Sequence, residues 1–72
     1  MRNVKISSEY ITLGQFLKFS GIISQGGEVK HFLAENACLV NGESENRRGK
    51  KLYPGDEIEV LGKQYKICWC FS

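Results

Sequence analysis

Seventy-two residues make one domain, spanning 1–72, near the lower limit at which a single apolar core holds a chain folded. Hydrophobic residues at 42% and charged residues at 25% are ordinary globular proportions and exclude a disordered chain. The formal charge of +2 says nothing about partners by itself, and so small a core leaves no room for a cleft walled by two layers, which argues against an enzyme.

The opening MRNVKISSEY lacks the apolar run of a signal peptide, and no segment approaches a membrane span in length. The expectation is a cytoplasmic chain without a membrane partner. Val4 and Ile6 alternate with polar Asn3, Lys5 and Ser7, the period of a short half-buried strand. In TLGQFLKFSG, Thr12 and Gln15 have capping-box spacing, Leu13, Phe16 and Leu17 recur at helical intervals, and Gly21 is a natural stop. Ile22-Ile23 reads as a connector that plugs the core. SQGGEVKHFLAEN then predicts a second helix with a Val29, Phe32, Leu33 stripe. Gly26 and Gly27 would each cost about 1 kcal/mol in a helix interior relative to alanine, so they belong in its first turn or just before it. Two helices joined by so short a turn pack at an angle, much like a helix-turn-helix.

After Asn36 the pattern changes to strands. ACLVNG is a short β-run ending in an Asn-Gly turn; Leu52-Tyr53 follows, then the turn Pro54-Gly55-Asp56, shaped by Asp56. Ile58 and Val60 alternate with charged neighbours, the chain turns at Gly62-Lys63, and Tyr65, Ile67 and Trp69 alternate in a last strand. The fold class is α+β: two helices in a helix-turn-helix-like arrangement on a small, mostly antiparallel sheet. Periodicity assigns Phe16, Phe19, Phe32, Tyr65 and Trp69 to the core, and leaves Tyr10 and Tyr53 as the exposed aromatics.

Chemistry-bearing constellations are sparse. Cys38, Cys68 and Cys70 are odd in number, His31 is the only histidine, and metal-ligand spacing is lacking, so reduced structural thiols are expected, with no metal and no cofactor. Gly26-Gly27 is followed by no Gly-Lys-Ser/Thr of a nucleotide loop. No catalytic residue is assigned.

Binding has more support. Arg47, Arg48, Lys50 and Lys51 are four of ten basic residues; without them six basic face eight acidic residues, a remainder of −2. The positive field is therefore local, and it can orient a polyanion rather than merely attract one. Arginine offers a planar fork for phosphate oxygens and lysine a mobile point charge, and Gly49 is expected to turn the backbone so that the four converge. Gly26 and Gly27, at the start of the second helix, would let a phosphate approach backbone N–H groups, with Lys30 within a turn of that end.

Helix, turn, helix, LVNG, a basic segment and PGDEIEV in this order resemble the S4-like RNA-binding domain, or alpha-L motif. The resemblance runs from about Thr12 to Val60. Its most specific parts are Leu39-Val40-Asn41-Gly42 and Pro54-Gly55-Asp56-Glu57-Ile58; TLGQFLK, GGEVKHFL and NRRGKKL look like the short stand-alone bacterial subgroup. The resemblance implies binding of structured RNA, commonly ribosomal, through the second helix and the following basic loop; separately, a monomer is expected. Lys30 would lie on the exposed helix face, Asn41 at the turn beside the RNA-facing surface, and Arg47, Arg48, Lys50 and Lys51 along its basic edge. Typical members carry Ser-Arg-Ser where this chain has Gln25-Gly26-Gly27, so backbone N–H groups would stand in for an arginine contact. The rival reading is a protein-interaction adaptor docking its basic edge on an acidic partner. A DNA-binding helix-turn-helix is disfavoured, because the second helix itself carries only Lys30 and His31.

Overall fold

Val40 faces Glu43 across the two-residue turn Asn41-Gly42, and Val60 faces Lys63 across Leu61-Gly62. All four turn residues have positive φ, between 53° and 85°. That is the mirror-image turn whose twist matches the strands on either side of a hairpin. In the computed structural model, which describes residues 2–70, these two hairpins organise the main sheet. Its strands are β1 (Arg2–Ile6), β3 (Cys38–Val40), β4 (Glu43–Glu45), β6 (Glu57–Val60) and β7 (Lys63–Trp69), in the order β1-β7-β6-β3-β4. A separate two-stranded ribbon pairs β2 (Ile11–Thr12) with β5 (Lys51–Leu52). The helices are α1 (Leu13–Phe19) and α2 (Val29–Glu35), the latter preceded by a 3-10 turn at Gly26–Glu28.

The expected α+β class, with two helices and a mostly antiparallel sheet, is what the chain adopts. Three details lie outside the sequence reading. β1 and β7 run parallel, with Val4 opposite Ile67. Glu43–Glu45, which has no apolar alternation, is a strand, held by its hairpin to β3. Ile11–Thr12 is a strand of two residues, too short to leave a periodic signature.

Both ends of α1 have a local cause. Thr12 Oγ1 accepts from the Gln15 N–H at 3.2 Å and Gln15 Oε1 accepts from the Thr12 N–H at 2.9 Å, a complete capping box. At the other end the Gly21 N–H donates to the Lys18 carbonyl and the Ile22 N–H to that of Leu17, both at 3.1 Å. This pair of bonds is a Schellman termination. It turns Ile23 into the core, where it is buried, while Ile22 packs at the margin.

The core lies between the helices and one face of the main sheet. Leu13, Phe16, Leu17, Val29 and Leu33 meet Val4, Ile6, Cys38, Val40, Ile58, Val60, Tyr65 and Ile67, all buried. Phe16 stands edge-on to Tyr65, ring centroids 5.2 Å apart. Phe32 is partly buried against this cluster.

Two expected core aromatics are not in it. Phe19 is 68% exposed. At 3.6 residues per turn it points about 120° from the centre of the Leu13, Phe16, Leu17 stripe. Trp69 is 46% exposed although it shares a face with Tyr65 and Ile67. A seven-residue strand such as β7 is about 23 Å long, whereas a seven-residue helix covers about 10 Å, so the strand's end outruns its cover.

Candidate nucleic-acid interface

The basic segment is built on the beginning of α1. The first N–H groups of a helix have no partner within it. Here the Leu13 N–H donates to the Lys50 carbonyl at 2.8 Å and the Gly14 N–H to the Arg48 carbonyl at 3.0 Å. Pairing of Ile11 with Leu52 and of Thr12 with Lys51 anchors the segment's far end. A Cβ at Gly14 would lie 3.4 Å from the Arg48 carbonyl oxygen and 3.5 Å from Val29 Cγ1, ordinary contact distances, so the docking itself does not demand glycine there. Periodicity does not reveal this docking, which is made of backbone bonds.

The loop turns through a bond from the Lys50 N–H to the Arg47 carbonyl at 3.1 Å. Gly49 is not among the glycines with positive φ, so this turn does not depend on its special freedom, contrary to the sequence expectation. Nor do the four cations converge on one point. Arg48 lines an open depression with Lys30, Leu33 and Ala34 of α2 and with Asn46. Arg47, Lys50 and Lys51 line an adjoining one with Gly49 and Tyr53. The backbone turn sends Arg48 to the α2 side and the other three to the Tyr53 side. Asn46 is a lining residue that the sequence reading did not single out.

Arg47 has a partner. Its Nε donates to Glu45 Oε2 at 3.1 Å and its Nη2 to Oε1 at 3.2 Å, a two-pronged pair. The backbone N–H groups of Asn46 and Arg47 also donate to Oε2. The Arg47 side chain remains 75% exposed, and that of Glu45 only 13%. Hydrogen bonding from the Arg47 side chain holds the Glu45 carboxyl below its usual value.

Asn41 ties the Asn-Gly turn to the Pro-Gly-Asp turn. Its Nδ2 donates to Asp56 Oδ1 at 3.1 Å, its Oδ1 accepts from the Glu57 N–H at 3.0 Å, and its own N–H donates to the Glu57 carbonyl at 2.7 Å. Asp56 Oδ2 accepts from the Tyr53 N–H at 2.8 Å, so Asp56 does shape its turn. One amide hydrogen and one acceptor site of Asn41 are not accounted for by these bonds.

Gly26 and Gly27 form the 3-10 turn ahead of α2, with the Glu28 N–H donating to the Gln25 carbonyl at 3.1 Å. Gly27 has nothing within 4 Å of where a Cβ would be, and Lys30 is exposed one turn later. Tyr10 and Tyr53 meet with ring centroids 5.7 Å apart, and Lys51 Nζ lies 4.9 Å from the centre of the Tyr10 ring. The three cysteines are free thiols; Cys38 is buried, and burial pushes its pKa up. Among the described residues there is no cluster of potential metal ligands, and no helix is long and apolar enough to cross a membrane.

A family model described as the S4 domain matches residues 4–68, nearly the whole chain. The chain belongs to the S4 domain family. It is also similar to a protein of Bacillus subtilis (strain 168) named as a probable ribosome maturation protein RlbA, at 54% identity over 59 residues. The match covers 82% of this chain and 83% of the relative, so the two are of similar length. Family membership is thus as the sequence motifs indicated.

Proposed function

We propose that this S4 domain protein is a non-catalytic monomer that binds structured RNA, ribosomal RNA or a ribosomal particle, in the bacterial cytoplasm. The carrying observation is that Lys30 of α2 and Arg48 of the basic loop line one depression, which Arg47, Lys50 and Lys51 continue around the loop. Cations on two separate elements suit successive phosphates better than a single small anion. A-form RNA hides its base edges in a deep groove and shows phosphates and 2′-hydroxyls, so such a surface reads backbone geometry. The helix-turn-helix-like pair presents the exposed face of α2. Gly26 and Gly27 admit a phosphate to the main chain, and Asn41 offers its remaining amide hydrogen at the margin. The name of the Bacillus relative supports a ribosomal target.

Neutralising four to six phosphates would make log K fall with log salt at a slope of about −3 to −5. The deciding experiment is the double variant Lys30→Glu with Arg48→Glu. Its affinity for ribosomal RNA fragments should drop by at least about tenfold at matched salt, and it should leave the ribosomal fractions of a sedimentation gradient, with circular dichroism unchanged. RNA affinity equal to that of the parent refutes the reading. Recovery of an acidic protein partner and no RNA on crosslinking would favour an adaptor.

A further inference from the structure

We infer that Tyr53, backed by Tyr10 and Lys51, is a stacking site for one unpaired nucleotide, so that the RNA bound is a duplex interrupted by or ending in an unstacked base. The inference rests on the RNA-binding reading above and names the substrate feature that reading leaves open.

Tyr53 is 43% exposed and shares a wall with Arg47, Lys50 and Lys51. Its backbone is pinned from both sides: its N–H donates to Asp56 Oδ2 at 2.8 Å, and its carbonyl accepts from the Asp56 N–H at 2.9 Å. Tyr10 supports the ring at 5.7 Å with a 47° tilt, and the Lys51 ammonium sits against Tyr10 at 4.9 Å. The result is an immobilised aromatic surface with a cation alongside, at the margin of the phosphate-binding loop. Proteins that hold single-stranded nucleic acid combine these elements: a ring for the base's π-face and cations for the flanking phosphates. A continuous duplex has no free base face to offer, which restricts the occupant to an unpaired nucleotide.

Phe19 serves as an internal comparison. It is more exposed than Tyr53, but the residues lining the depression beside it are Ser8, Glu9, Tyr10, Ile11, Thr12 and Gln15, which include an acid and no cation. A base stacked there would bring its phosphate towards Glu9. Tyr53 also borders Glu43, Glu45 and Asp56 on another side, but of the two rings it alone has cations among its lining neighbours.

The test uses two RNA hairpins closed by the same polyethylene glycol linker in place of a nucleotide loop, one fully paired and one with a single bulged adenosine, titrated by fluorescence anisotropy at one salt concentration. The parent protein should prefer the bulged hairpin by about tenfold, within the range of one base–aromatic stack. Tyr53→Ala should abolish the preference while keeping the affinity for the paired hairpin, and Tyr53→Phe should retain it. The salt slope should be unchanged in Tyr53→Ala and shallower in Lys51→Ala, which a merely structural role of the ring would not produce. Equal affinity of the parent for both hairpins, or a preference that survives Tyr53→Ala, overturns the stacking site and leaves RNA binding standing. Binding of neither hairpin overturns both.

Discussion

Asn41 Nδ2 donates to Asp56 Oδ1 at 3.1 Å, joining two turns that lie fifteen positions apart in the chain. Both residues also bond backbone groups of the opposite segment or of their own turn, so the pair fixes how the β3–β4 hairpin meets the start of β6. Asp56→Ala should therefore lower stability by about 1–2 kcal/mol, the scale of two lost hydrogen bonds. Asn41→Gly keeps the positive φ that the turn needs and removes only the side-chain bonds; about 1 kcal/mol is expected. A double-mutant cycle in urea should show the two effects to be less than additive.

Glu45 and Arg47 make the one ion pair among the described residues. Hydrogen bonding from Arg47 holds the Glu45 carboxyl below the ordinary glutamate value. An acid depressed in the folded state stabilises the fold fully above its unfolded pKa, and this contribution disappears as pH falls through the depressed value. Carbon-13 NMR titration should find Glu45 ionising below the ordinary glutamate value, and Arg47→Ala should move it upward. A Glu45 midpoint unaffected by Arg47→Ala would contradict the assignment.

Thr12→Ala should cost about 1 kcal/mol, as N-cap deletions do, and lower the melting temperature by about 4–8 °C. The consequence extends beyond the helix, because Leu13 and Gly14 beside the cap hold the carbonyls of Lys50 and Arg48. Amide hydrogen exchange in this variant should accelerate at Leu13 and Gly14 before the β6–β7 hairpin is affected.

Gly27 separates structure from binding. With open space around the added methyl, Gly27→Ala should change stability by no more than about 0.5 kcal/mol. If a phosphate approaches the main chain there, RNA affinity should still fall severalfold in filter binding. Unchanged affinity would remove the glycines from the interface.

Leu61 sits at φ 53° with its side chain 58% exposed, so a branched residue occupies a conformation that costs it about 1–2 kcal/mol. Leu61→Asn should raise the melting temperature by several degrees while leaving RNA affinity unchanged.

Much of this fold was legible because its signals are local. The Thr12–Gln15 spacing marks the start of the first helix, Asn41-Gly42 a turn after the Cys38–Val40 strand, and Val4 and Ile6 a strand. The misplaced aromatics show the limit of local reading. Phe19 and Trp69 are apolar and near the right period, but whether a side chain is covered depends on where another element ends. The candidate site was legible as charge and not as shape. NRRGKK announces four cations, whereas their division between the α2 side and the Tyr53 side follows from carbonyls bonded to a helix more than thirty positions earlier. Long-range backbone bonds carry no residue-type signature, so in the sequence Leu13 and Gly14 show only as the start of a helix.

That docking separates the loop's shape from its side chains. The groups that set the conformation of Arg48 and Lys50 against α1 are their peptide carbonyls, which every amino acid possesses. Side chains at 48 and 50 can therefore be exchanged without redrawing the surface that displays them, whereas Arg47 is tied to Glu45 and Lys51 to the Tyr10 ring. On the RNA-binding proposal, drift at 48 and 50, natural or engineered, would retune which ligand is held while the frame stays constant, making these positions replaceable parts on a small fixed mount.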